Sequence, residues 1–167
     1  MTKAALLTAL ALLGQAAATT IPGTKVSYTL KTDEFTGGNA SMVFLDAQED
    51  ASGQTYMTVA CDLEDPYFRL YSKVPLGRYT GEPITVFYRT DQGSYKSATG
   101  KLREDFKSGK LTVIDFRLYE STLFFRSFSA AQKQVSMRVS RNGLAPLNLT
   151  FLTKGFLQGF RAVRSCE

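Results

Sequence analysis

Short strand-like runs separated by turn residues restrict the fold of this chain more than any other feature. Val26 to Leu30 alternates apolar and polar residues, as a half-buried strand does. Turn sequences such as Gly81-Glu82-Pro83 lie between the runs. The pattern predicts a mainly β fold, either an antiparallel β-sandwich or a small barrel. Five further runs are rich in β-branched and aromatic residues: 42–45, 56–61, 67–71, 84–88 and 111–116.

The clearest hairpin joins residues 135–140 to residues 147–151 around Asn142-Gly143. A simple two-residue turn would place inward Val135 opposite polar Thr150, and so oppose an apolar face to a polar one. A slip of one residue reverses the faces of a strand. We therefore expect an odd-length loop or a bulge, with Gly143 at positive φ.

Two short helices are expected late in the chain, one near residues 121–132 and a C-terminal one near 153–165. In the first segment, Phe124-Phe125 fits a strand equally well. In the second, Thr153 is positioned to cap the amino end. Its apolar residues fall at i, i+4 and i+7: Phe156, Phe160 and Val163.

The amino-terminal segment has the three regions of a secretory signal peptide. Lys3 is followed by the apolar run 4–13 and by Ala16-Ala17-Ala18, which predicts cleavage before Thr19. A membrane anchor is the alternative, but ten apolar residues span only about half of a ~30 Å hydrocarbon core. We expect residues 1–18 to be removed and residues 19–167 to form a single β-rich domain that is periplasmic or secreted.

Export changes the expected state of the two cysteines, Cys61 and Cys166. In an oxidising compartment a lone pair of cysteines favours a disulfide. A bridge closing a loop of about 100 residues stabilises a domain by roughly 4–5 kcal/mol in the chain-entropy model. A redox-active thiol and an intermolecular bridge are the alternatives, although the chain has no C-x-x-C motif.

Little in the sequence indicates catalysis. The chain has no histidine, which excludes serine–histidine triads, cysteine–histidine dyads and histidine-ligated zinc. We therefore predict a non-enzyme with no catalytic, cofactor-binding or metal-binding residues. The acidic segment from Asp46 to Ser52 lacks EF-hand spacing and fits a hairpin turn better. We expect no two of the remaining acidic candidates to face each other across a pocket, as glycosidase acids do: Asp62, Glu64, Asp65, Asp105, Asp115 and Glu120.

Charge is unevenly distributed along the chain. Residues 24–65 contain eight acidic and two basic residues, whereas residues 66–167 contain seventeen basic and seven acidic ones. A positive face would suit an anionic envelope component or an acidic protein. The alternative is that lysine and arginine keep strand edges and loops soluble. We expect no nucleic-acid partner, because no recognised binding motif is present, and no stable membrane insertion after signal cleavage.

The order of segments from Tyr56 to Cys166 resembles a known group. A strand holding Cys61 is followed by Ile84-Thr-Val-Phe-Tyr-Arg89, a Phe-rich helix, two hairpin strands and a helix closing at Cys166. This order is similar to that of the type VI secretion-associated VasI-like exported bacterial proteins. The resemblance implies an envelope protein in which the two cysteines are structural.

Three functional hypotheses follow. The leading one is a non-catalytic exported envelope binding or accessory module whose ligand is unknown. The alternative is a periplasmic lysozyme-inhibitor-like protein, because Tyr56 to Asp62 and Gln92 to Ser97 loosely resemble that family. Against it stands the net charge of +5, since common lysozymes are also basic. The third hypothesis is a hydrolase that uses carboxylates alone.

Overall fold

The computed structural model describes residues 17–62 and 65–163. These residues form ten strands and two helices. The elements are β1 (Thr19–Thr20), β2 (Val26–Thr29), β3 (Met42–Asp46), β4 (Tyr56–Asp62), β5 (Asp65–Tyr71), β6 (Pro83–Thr90), β7 (Lys96–Glu104), β8 (Leu111–Phe116), α1 (Leu118–Ala130), β9 (Gln134–Arg141), β10 (Leu144–Leu152) and α2 (Phe156–Ala162).

All ten strands belong to one antiparallel sheet, in the order β1-β2-β3-β4-β5-β8-β7-β6-β9-β10. The predicted mainly β, antiparallel fold with two short helices is confirmed. The sheet is not closed into a barrel, since β1 and β10 are its two edges. The loop after β3 partly covers the β10 edge, where the Gln48 N–H donates to the Thr150 carbonyl at 2.9 Å. This contact protects part of an edge that would otherwise offer unpaired backbone groups.

The core lies on the inner face of the sheet, which both helices cover. Phe124 of α1 is fully buried, and its ring centroid lies 5.8 Å from that of Phe68, 4.8 Å from Tyr88 and 4.7 Å from Phe116. Burying each such aromatic side chain contributes about 1.5–3 kcal/mol. The helices therefore hold the sheet through one aromatic cluster.

Helix boundaries differ from those expected. Helix α1 begins at Leu118, three residues before the expected start, and ends at Ala130. It ends there because the Asp91 carboxylate binds the backbone that follows the helix. The Asp91 carboxylate accepts hydrogen bonds from the N–H groups of residues 132, 133 and 134, each at 2.9 Å. The prediction that Thr153 caps the C-terminal helix was wrong. The Thr153 hydroxyl donates to the Ala131 carbonyl instead of capping α2. Gly155, at φ 91°, occupies the N-cap of α2, and residues 164–167 lie outside the described part.

The expected irregularity in the late hairpin is confirmed. Leu144 pairs with Arg141, but Leu147 pairs with Val139, so the register shifts between Leu144 and Leu147. Gly143 adopts φ 73° in the turn. The bulge brings buried Leu149 opposite buried Met137 and so restores one apolar face.

Strand β7 was not predicted from the sequence. Its buried inward residues are Ala98, Gly100 and Leu102, and only Leu102 is large. The residues between them are exposed. Gly100 pairs with Phe116 of β8, where a side chain would collide with Ile114. A strand that packs this closely needs glycine, the residue that weakens a strand signal in the sequence.

The predicted signal peptide, residues 1–18, falls almost wholly outside the described residues, and its cleavage before Thr19 stays a prediction. Among the residues that are described, no helix is both long and apolar enough to cross a membrane.

Candidate functional site

A cavity of about 560 Å³ lies on the outer face of the sheet. Its floor is formed by outward side chains of β3, β4 and β5, namely Phe44, Tyr56 and Tyr71. Its wall is the β7–β8 turn, residues 105–110, which folds toward this face. We call this cavity the aromatic groove. It combines side chains from three adjacent strands with a turn that is distant in the sequence.

Aromatic rings order the floor of the groove. Tyr56 and Tyr71 are direct neighbours across β4 and β5, and their rings stack at 4.7 Å with an interplanar angle of 11°. Phe44 lies 6.0 Å from Tyr56 between ring centroids. Burial, followed by the charges of nearby groups that include Asp105, raises the pKa of Tyr56 to about 12. Tyr56 therefore keeps its phenolic proton at physiological pH and offers a hydrogen-bond donor beside apolar surface.

The turn that walls the groove is held by Asp105. Its carboxylate accepts a hydrogen bond from the Ser108 hydroxyl at 2.7 Å and from the Ser108 N–H at 3.1 Å. These bonds, led by the one from the hydroxyl, lower the pKa of Asp105. The Asp105 N–H also donates to the Lys110 carbonyl at 2.7 Å. A closed network therefore fixes the turn and presents Phe106 to solvent, with 103% of its reference surface exposed.

Lysine side chains border the groove. Lys107 and Lys110 belong to the turn, and Lys73 follows β5. The Lys73 ammonium lies 2.9 Å from the buried carboxylate of Asp50. Asp50 also accepts a 2.6 Å hydrogen bond from the Ser52 hydroxyl, the largest cause lowering its pKa. The charge of Lys73 is thus largely satisfied, and the turn lysines supply the positive charge at the groove.

A carboxylate held by two arginines adjoins the groove. Buried Asp115 of β8 accepts a hydrogen bond from Arg69 Nε at 2.6 Å and forms a second ion pair with Arg103. The Arg69 guanidinium also lies 4.9 Å from the centre of the Tyr67 ring. Because Asp115 serves two arginines, this cluster keeps a net positive charge. Further along the outer face, β6, β7 and β9 carry Arg89, Lys101 and Arg138.

The structure places the acidic candidates in separate roles. Asp65 is exposed at the start of β5, while the Asp62 side chain and Glu64 lie outside the described residues. Asp105 and Asp115 border one depression of about 180 Å³, but Asp105 anchors its turn and Asp115 is paired with arginines. The Oε2 atom of Glu120 is buried without a hydrogen-bond partner in the described part of the chain.

The acidic segment after β3 has structural contacts. Glu49 Oε2 accepts a hydrogen bond from the Thr150 N–H at 2.8 Å, and Asp50 bonds Ser52 and Lys73. Within the described residues, no group of three or more acidic or cysteine side chains is placed to hold a metal ion.

The predicted disulfide can be followed only at one end. Cys61 lies near the end of β4, opposite Pro66 of β5, whereas Cys166 lies outside the described residues. The end of α2 contacts the segment before β3, the strand that pairs with β4, because Asn39 Nδ2 donates to the Val163 carbonyl at 2.8 Å. The bridge therefore stays a prediction.

Sequence reasoning missed the aromatic groove. The available signal was apolar residues on both faces of β3 and β4, where outward Phe44 and Tyr56 alternate with inward Leu45 and Met57. A strand with one solvated face usually has polar residues there. The position of the turn over these strands carries no local signal.

No protein-family model, no curated protein and no solved structure matches the chain.

Proposed function

We propose that the chain is a non-catalytic, exported envelope module that binds an anionic component through the aromatic groove. The observation that carries the proposal is the groove itself, an aromatic floor bordered by lysines on the outer face of the sheet. Ligand sites are typically concave and mostly apolar, with a few polar groups that orient the ligand.

The chemistry of the groove favours binding over reaction. The carboxylate within it, that of Asp105, is used to hold the turn, and its pKa is lowered, whereas a general acid needs a raised pKa. The phenol of Tyr56, with its pKa raised to about 12, serves as a donor and not as a base near neutral pH.

The charges around the groove favour an anionic ligand. Lys107 and Lys110 lie on the turn that walls the groove. Arg69 and Arg103 together carry two positive charges, of which Asp115 neutralises one. The aromatic floor supplies contact area for the uncharged part of the same ligand. Positive charge of this kind raises association rates and is screened by salt.

Poly-L-glutamate is a suitable probe, because it combines carboxylates with aliphatic stems. We expect its titration into isotope-labelled protein to shift the amide signals of residues 42–44, 54–58, 71–73 and 105–112 in nuclear magnetic resonance spectra. The Lys107→Glu/Lys110→Glu double variant should weaken binding, whereas Lys154→Glu, an exposed lysine before α2, should not. Loss of all binding at high salt is expected.

Three results would overturn the proposal. These are the absence of shifts at low salt, shifts confined to another face, or equal weakening by Lys154→Glu. Inhibition of lysozyme by the wild-type protein, unaffected by the groove variants, would instead support the lysozyme-inhibitor-like alternative.

A further inference from the structure

Phe106 is an exposed aromatic side chain held on an ordered turn. The Asp105 carboxylate bonds the Ser108 hydroxyl and N–H, and the Gly109 N–H donates to the Asp105 carbonyl at 2.8 Å. Gly109, at φ 66°, completes the turn. A network of this kind fixes the backbone, so the exposure of Phe106 is a defined feature of the fold.

Basic side chains border the same two cavities as this ring. Lys107 and Lys110 lie on the same turn, and Arg103 lies near the end of β7. Three carboxylates lie nearby and each has a partner. Asp105 bonds within the turn, Asp115 pairs with Arg69 and Arg103, and Glu104 accepts a hydrogen bond from the Thr80 hydroxyl at 3.1 Å. An exposed apolar ring with lysines on the same turn is complementary to a surface that is apolar inside and anionic outside.

We propose that the anionic component is a lipid surface, and that the 105–110 turn docks on it with Phe106 at the boundary between headgroups and acyl chains and Lys107 and Lys110 at the headgroup phosphates. This inference rests on the proposed function and names the source of the anion. A single protruding ring needs a matching pocket in a protein partner, whereas a lipid interface deforms around it. One ring and a few charges give weak, reversible docking.

The absence of tryptophan from the chain permits a direct test. Phe106→Trp and Phe35→Trp each introduce one tryptophan on an exposed turn. Phe35 is the matched control, because it is 98% exposed and its turn is also held by an aspartate, Asp33, whose carboxylate accepts bonds from the Phe35 and Thr36 N–H groups. Phe35 lies between β2 and β3 and does not border the groove.

With vesicles of phosphatidylglycerol and phosphatidylcholine, the emission of Trp at position 106 should move to shorter wavelength, and that at position 35 should not. Vesicles of phosphatidylcholine alone should produce no shift. In the Phe106→Trp background, Lys107→Gln and Lys110→Gln should each lower vesicle partitioning about fivefold. Unchanged melting temperatures would show that the exposed substitutions leave the fold intact.

The outcomes separate this inference from the proposed function. Poly-L-glutamate binding at the groove without a vesicle-induced shift at position 106 would overturn the lipid inference and leave the proposed function standing. Failure of both probes would overturn both. Equal shifts at positions 35 and 106 would show docking by another surface and would also overturn the inference.

Discussion

Replacement of Gly100 by alanine tests the close approach of β7 to β8. A Cβ atom at this position would overlap Ile114 Cγ2, and it would lie 2.8 Å from the Asp115 carbonyl oxygen and 3.0 Å from Phe116 Cδ1. Carbon atoms pack at about 3.5–4.0 Å. Because Ile114 is fully buried, relief requires movement of the core or of a strand.

The expected magnitude follows from two opposing effects. Overpacking a well-packed core costs about 1–3 kcal/mol. The loss of backbone freedom in the unfolded chain offsets about 0.4–1 kcal/mol of this cost. We therefore expect Gly100→Ala to lower the free energy of unfolding by roughly 1–2 kcal/mol, and the Tm by about 2–8 °C for a domain of this size.

Thermal and urea unfolding, followed by circular dichroism, measure this effect. Gly38→Ala is the control, because the nearest atom to its new Cβ would be the Thr36 hydroxyl oxygen of an exposed turn, at 3.2 Å. We expect that change to stay within about 0.5 kcal/mol. Adding Ile114→Ala, which removes the overlapping Cγ2 atom, to Gly100→Ala should cost less than the sum of the single changes. Wild-type stability of Gly100→Ala, or strict additivity with Ile114→Ala, would refute the reasoning.

Three further predictions concern acid, redox state and processing. Hydrogen bonds lower the pKa of Asp50 and Asp91 from the ordinary 3.8. The two carboxylates therefore stabilise the folded state fully above pH 3.8, and this contribution is lost as the pH falls through their lower folded pKa values. A urea midpoint that is the same at pH 5 and at pH 3 would contradict this. Reduction of a Cys61–Cys166 bridge should lower the Tm substantially, and two freely alkylated thiols in native, oxidised protein would contradict the bridge. Mass spectrometry of exported protein should find Thr19 as the first residue, and an intact Met1 would exclude cleavage.

Much of the fold was predictable because the inward residues of most strands are large and apolar. A two-residue turn would have paired inward Val135 with polar Thr150, and this was enough to predict the irregular hairpin. Only a bulge or an odd-length loop restores a single apolar face. Strand β7 was missed because Ala98 and Gly100 occupy its inner face. The Thr153 cap was wrong because Gly155, in a left-handed conformation, occupies the N-cap, and α2 begins at Phe156, three residues beyond Thr153.

The candidate site was less predictable than the fold. Phe44 and Tyr56 lay in predicted strands, but nothing local distinguishes an outward aromatic from a core residue when both faces are apolar. Phe106 and Lys107 join them only because β7 and β8 bring their turn to the neighbouring strands. Contacts of this kind depend on the pairing of β5 with β8, which is set by the whole sheet.

The most direct test of the groove as the binding site compares two equally exposed phenylalanines. Calorimetric titration with poly-L-glutamate should show that Phe106→Ser weakens binding about tenfold, as expected for removing one partly buried aromatic contact. Phe35→Ser, on a similar turn outside the groove, should bind as the wild type does. Equal affinities for the wild type and both variants, or equal losses in the two variants, would contradict the assignment of binding to the aromatic groove.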